Sequence, residues 1–388
     1  MEFHNHMDQI SSSKIRMIGE KAAQMAAQGR SIIKLQAGEP DFDTPQHIVD
    51  AAVAALQNKD THYTPNRGTM ALRQAIADKL SRDNQINADP LENIIVTTGC
   101  AEALMCACLG ILDPEDEMII IEPAFVTYME LAKLAGAVPV IVHAREDNSW
   151  LPDVEDIRQA ITSRTKLLLI NSPSNPTGAV YPRELLQELA MLSVKHNFYI
   201  VSDEVYEKLA FGAEHVSIAS LPGMADRTIT VNGFSKAYAM TGWRMGYLAA
   251  SKELIAPMLK LHQYTTTCAP GFIQAACVRA LEHSVEVLSM RQAYQRRRDL
   301  LCSLLECSSK LSFTKPEGTF YLYVNIERCG LDSESFVMRL LEEKGVAVVF
   351  GTAFDHRQGS RNIRISFASS EENLREGARR LLEFIDSL

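Results

Sequence analysis

The chain has 388 residues, 46% of them hydrophobic and 22% charged, with a formal net charge of -9. That is chain enough for two or three domains with a large buried core, and the acidic balance argues against nucleic acid or an anionic membrane as partner. No apolar run approaches the length of a membrane span, and residues 1–6 lack the basic and apolar stretches of a secretory leader.

In chain order, residues 94–96 predict a strand that runs into a helix from Ala101, and 118–121 predict a second strand followed by a helix near 125–134. Further strands are predicted at 138–142, 167–170, 198–202 and 228–231. Short Val-, Ile- and Leu-rich strands, buried on both faces and separated by helices, predict a three-layer α/β fold with a mainly parallel sheet. After about residue 290 the style changes to a charged helix over 291–305 and strands around 319–324, 346–349 and 362–366. The expected division is a large domain over residues 46–289 and a small α+β domain made of 1–45 with 290–388. Eight cysteines without a CxxC pair read as reduced thiols of a cytoplasmic protein rather than a disulfide framework.

Four segments directly after predicted strands carry chemistry. Lys236, in Gly233-Phe234-Ser235-Lys236, has Phe234, Ala237, Tyr238 and Met240 around it instead of a solvated face. Apolar surroundings favour the uncharged amine, which can form an imine with an aldehyde. Asp203, in Ser202-Asp203-Glu204-Val205-Tyr206, stands at the carboxyl end of a strand, where open α/β sheets collect ligands. It can cap the following turn, or pair with the protonated ring nitrogen of an electron-sink cofactor. The loop Asn171-Ser172-Pro173-Ser174-Asn175-Pro176-Thr177-Gly178 has two prolines and a glycine, and would hold the Asn175 amide rigidly at the same sheet edge. Gly99, Cys100 and Ala101 open a helix whose free N–H groups suit a phosphate, and Arg244 is a candidate bidentate partner for it.

In this order the segments resemble the class I aminotransferases of the aspartate aminotransferase superfamily, which use pyridoxal 5′-phosphate (PLP) and have the fold-type-I architecture. The likeness starts at Ala37-Gly38-Glu39-Pro40-Asp41-Phe42-Asp43-Thr44-Pro45 and Tyr63-Thr64-Pro65-Asn66-Arg67-Gly68. It continues through the segments at 171–178, 202–207 and 234–247, and ends at Asn362-Ile363-Arg364-Ile365-Ser366. The resemblance implies a ping-pong transamination between an L-amino acid and a 2-oxo acid. Lys236 would carry the cofactor as a Schiff base and move a proton at the substrate α-carbon. Asp203 would hold the ring nitrogen protonated, and Asn175 and Tyr206 would hydrogen-bond the ring oxygen. Phe125 would stack on the ring, although on residues alone it reads as core packing. Gly99, Cys100, Ala101, Ser235 and Arg244 would bind the phosphate, joined by Tyr63 from the neighbouring subunit of a homodimer. Arg364, Gly38 and Asn175 would hold the substrate, Arg364 as a fork on the α-carboxylate. No metal is implied.

Three positions depart from the family pattern. Gly233 replaces a serine that in many relatives touches the phosphate. Ala101 replaces a lysine that in aspartate-preferring relatives reads a second carboxylate. The segment Phe350-Gly351-Thr352-Ala353-Phe354-Asp355 lacks the usual Pro-Gly, on the substrate side. The donor therefore stays open among alanine, aromatic amino acids, methionine, glutamine and aspartate. Two alternatives on the same fold are a PLP-dependent C–S β-lyase and a non-catalytic regulator. The regulator typically adds a DNA-binding domain, for which the motifs starting by residue 37 leave no room.

Overall fold

The computed structural model describes residues 7–11, 14–283 and 285–388, and residues 1–6, read above as carrying no leader, lie outside it. Twelve strands follow in chain order among the described residues: β1 (Ile33–Lys34), β2 (Ile94–Thr97), β3 (Glu117–Glu122), β4 (Val138–His143), β5 (Thr165–Asn171), β6 (Tyr199–Asp203), β7 (Thr228–Gly233), β8 (Gly246–Ala249), β9 (Tyr321–Asn325), β10 (Val346–Ala347), β11 (Val349–Phe350) and β12 (Asn362–Ser366).

Seven of them form one sheet in the order β2-β8-β7-β6-β5-β3-β4. The pairings among β3 to β7 are parallel, whereas β8 runs antiparallel to both neighbours. Nearly every residue of β2, β3, β5, β6 and β7 is buried, because helices cover both faces. On one face, Leu104, Ala107, Cys108 and Ile111 of the helix Cys100–Ile111 pack with Ile95, Met118, Ile120 and Val231. On the other, Leu185, Leu186 and Leu189 of the helix Arg183–His196 pack with Ile119, Leu168 and Ile170. Each fully buried Ile or Leu contributes about 1.5–3 kcal/mol of transfer free energy. No helix among the described residues is long and apolar enough to cross a membrane.

The remaining strands form two small sheets, β11-β12-β9 and the parallel pair β1-β10. A segment near the N-terminus thus joins the C-terminal region directly, with Ile33 opposite Val346. Helix Glu371–Asp386, capped by the Ser370 hydroxyl, lays Leu374, Leu381 and Phe384 on the same core.

Several elements differ from expectation. The 319–324 strand begins only at Tyr321, since Thr319 adopts a φ of +66°. The helix predicted over 291–305 begins at Val285, and the one near 125 begins at Thr127. The 346–349 run is two strands in two sheets, divided at Val348, because valine buried on both sides gives no local sign of which neighbour it pairs with. Strand β8 was not anticipated at all.

Candidate active site

The sheet register sets the site. Thr97, Gly246 and Gly233 are neighbours across β2, β8 and β7, and Val231, Asp203 and Asn171 are neighbours across β7, β6 and β5. The carboxyl ends of β2, β5, β6 and β7, with the start of β8, therefore open on one cavity of about 600 Å³. Cys100, Ala101, Phe125, Asn175, Asp203, Tyr206, Ser235, Lys236 and Arg244 line it, with Gly38 arriving from the segment after β1 and Arg364 from β12.

Asp203 is only 4% exposed. Its Oδ1 accepts from Val205 N at 3.2 Å, which is the turn-capping contact expected from sequence, and its Oδ2 accepts from the Tyr128 hydroxyl at 2.8 Å. The Asn171 side chain donates to the Asp203 carbonyl at 2.9 Å and accepts from Asn175 N at 2.8 Å. Burial raises the Asp203 carboxyl to about 6, against the lowering effect of the Tyr128 and Val205 hydrogen bonds. Burial also pushes the Tyr128 phenol well up, so that group stays a donor.

Lys236 follows Phe234 and Ser235, both buried, and its Nζ donates to the Gly38 carbonyl. The same nitrogen lies 5.9 Å from the Tyr206 ring centre and 5.8 Å from that of Phe320. The Tyr206 and Tyr321 hydroxyls are 3.1 Å apart, and burial raises the Tyr206 phenol well above its ordinary value.

Arg364 is 2% exposed, in the central strand of its sheet. Read alone, an arginine between Ile363 and Ile365 belongs on a solvated strand face; here that face is turned into the cavity. Its Nη1 donates to Asn175 Oδ1 at 2.9 Å and its Nη2 to the Gln36 carbonyl at 3.0 Å. The guanidinium lies 4.1 Å from the Tyr321 ring centre and 4.8 Å from that of Phe354. Its Nε is buried and has no protein partner, a donor that a bound anion would satisfy. The Phe350–Asp355 departure falls here: Phe354 backs the guanidinium, and its carbonyl accepts from Ala124 N at 2.8 Å.

At the other end, Gly99 has a φ of +80°, and a Cβ on it would sit 2.6 Å from Arg244 Nη2. The guanidinium therefore lies against the turn that opens the helix Cys100–Ile111, as an anion cradle requires. Arg244 Nη1 is held by the Thr241 carbonyl at 2.9 Å. At Gly233 a Cβ would come within 2.7 Å of Cys100 Sγ and 2.9 Å of the Met245 carbonyl, so this chain has no room for a serine here. Phe125 stands edge-on to Tyr128, with ring centres 5.7 Å apart. Tyr63 is 88% exposed and lines a separate surface hollow with His62 and Phe272, away from this cavity.

Among the cavity residues that received no role from the sequence are Arg16, Tyr128, Asn171 and Tyr321. Asn171 opens the very loop from which Asn175 was chosen. Tyr128 lies three positions beyond Phe125, but its partner Asp203 is 75 residues away, a distance no local pattern spans.

A family model for aminotransferase class I and II matches residues 30–381. The chain belongs to this family. It is 43% identical over 385 residues to an aspartate aminotransferase of Pyrococcus abyssi, covering 98% of this chain and 97% of that one. It is 40% identical over 386 residues to the aromatic-amino-acid aminotransferase 2 of Thermococcus litoralis, covering 98% and 97%. The solved structure of Thermus thermophilus aspartate aminotransferase with maleate superposes with a TM-score of 0.95 at 42% identity, covering all of both chains. The protein is a PLP-dependent aminotransferase with the α/β fold of that family. The residues present suit the cofactor: an open anion cradle at Gly99 and Arg244, a buried carboxylate at Asp203 and an amine at Lys236.

Proposed function

We propose that the chain moves an amino group between an L-amino acid and a 2-oxo acid in two half-reactions, with the cofactor held covalently on Lys236. The observation that carries this reading is that Asp203 at the end of β6, Lys236 and Arg244 between β7 and β8, and Arg364 in β12 converge on one cavity. Bound PLP supplies an aldehyde for the substrate amine and a ring that draws electrons from the α-carbon.

The protein's own groups do the rest. The Lys236 amine takes and returns the proton at the substrate α-carbon. Asp203 holds a proton on the ring nitrogen, and Tyr128 and Val205 N fix the carboxylate for it. Asn175 and Tyr206, both lining the cavity, would donate to the ring oxygen from the amide and the hydroxyl, with Phe125 as the stacking surface. Arg244, Ser235 and the N–H groups of Gly99, Cys100 and Ala101 take the phosphate. Arg364 grips the α-carboxylate beside the Gly38 backbone, as a planar fork can and an ammonium cannot.

Aspartate and aromatic amino acids head the donor candidates, since relatives of both kinds match along the whole chain. Ile15, Leu104 and Phe125 give the cavity an apolar wall for a ring, while Arg16 offers a cation without an ion-pair partner among the described residues. We further infer a homodimer, because the exposed Tyr63 can serve such a cavity only in a second copy. The eight cysteines are all free thiols, which suits the cytoplasm.

Purified protein should show a cofactor absorbance band that moves on adding an amino donor. A panel of amino acids with 2-oxoglutarate as acceptor then names the donor. Full turnover by Lys236→Ala would overturn the mechanism. Release of pyruvate and ammonia from cystathionine with no 2-oxo acid present would overturn the reaction class.

A further inference from the structure

His262 lies on the helix Lys252–Thr265, outside the cavity, and is fully buried. Its Nδ1 is 2.8 Å from Glu102 Oε1 and its Nε2 is 2.8 Å from the Asn66 carbonyl. Both neighbours are acceptors. The ring therefore ties the Glu102 carboxylate to the Asn66 carbonyl, one nitrogen to each. Glu102 lies in the first turn of the helix Cys100–Ile111, and its other oxygen accepts from Thr98 N at 2.6 Å. Thr266 donates to the His-bound oxygen at 2.6 Å. Burial pushes the Glu102 carboxyl up, but the bonds from His262, Thr266 and Thr98 outweigh it and bring the group down to about 2. Glu102 thus closes the turn at Gly99 through its bond from Thr98 N. Asn66 belongs to the segment that carries Tyr63, and its side chain is in turn held by the Thr267 carbonyl at 2.7 Å.

We propose that His262 is a positioning residue for the cofactor phosphate: through Glu102 it fixes the turn that presents the phosphate-binding N–H groups, and through Asn66 it fixes the loop carrying Tyr63. The inference rests on the phosphate lying at the start of the helix Cys100–Ile111. If Tyr63 serves the neighbouring subunit, one buried ring braces phosphate contacts of both active sites.

The test compares His262→Gln and Glu102→Gln with His215→Gln, a histidine paired to Glu204 away from the cavity. Three quantities are read: the PLP dissociation constant of the apoprotein, the phosphorus-31 resonance of bound PLP, and kcat at saturating cofactor. One lost charge-assisted bond to a buried acceptor corresponds to roughly tenfold in affinity. His262→Gln and Glu102→Gln should therefore weaken PLP about tenfold and move the resonance, with kcat nearly kept. His215→Gln should lower thermal stability and leave both cofactor readouts alone. Wild-type PLP affinity and resonance in His262→Gln overturn the proposal, as does an equal weakening in His215→Gln. Should His262→Gln not fold, Glu102→Gln decides by the same readouts. Loss of activity in Lys236→Ala is independent of all of these, so failure here leaves the transamination reading standing.

Discussion

Asp203 links cofactor chemistry to folding in a way that can be measured without substrate. An unfolded aspartate ionises near 3.9, whereas burial holds the folded carboxyl at about 6 in the cofactor-free protein. Between roughly pH 4 and 6 the native state therefore binds more protons than the unfolded chain, and stability falls as pH rises through that window. The gap corresponds to about 3 kcal/mol, lost by pH 7 and present below pH 4. Asp203→Asn keeps the acceptor for Val205 N and has no charge to bury. Measured on apoprotein by urea midpoints at each pH, the variant should gain on the wild type by about 3 kcal/mol between pH 4 and pH 8. With PLP bound the same variant should lose turnover, on the order of 10³-fold, since no carboxylate remains to hold the ring proton. A stability difference that stays flat or reverses across this range would show that the carboxyl is not strained by burial, and the argument for its poise would fail.

Arg364→Lys keeps the charge but not the fork that reaches Asn175 and Gln36, so KM for amino donors should rise about a hundredfold while PLP affinity changes little. Steady-state kinetics and cofactor titration separate the two. Gly99→Ala strains a φ of +80° and pushes on Arg244, and should cost about 1–2 kcal/mol in thermal unfolding together with weaker PLP binding. Tyr63→Phe removes only an exposed hydroxyl, so apoprotein stability should be unchanged. In the dimer its PLP affinity should fall severalfold, and heterodimers with Lys236→Ala subunits should show which site the tyrosine serves.

Much of the site could be read locally because the fold puts function at strand ends. Apolar runs marked β3, β5, β6 and β7, and Asp203, Asn175 and Lys236 follow three of them within a few residues. A buried parallel strand leaves a continuous Val, Ile and Leu signature, and the polar residue that ends it stands out. The resemblance then supplied Arg364, against the reading its own strand invites.

What the sequence determined by itself was the layered α/β plan and the identity of the groups at its edge. What the tertiary structure decided was which of those groups meet. Strand β8 is only Gly-Tyr-Leu-Ala, without a branched run, and it is a strand because β2 and β7 pair with it on both sides. Tyr128 on Asp203, Tyr321 on Tyr206 and Asn175 on Arg364 are contacts across 75, 115 and 189 residues. Such pairs leave no period in the chain, because hydrophobic patterning records which face of an element is buried and not what lies opposite it.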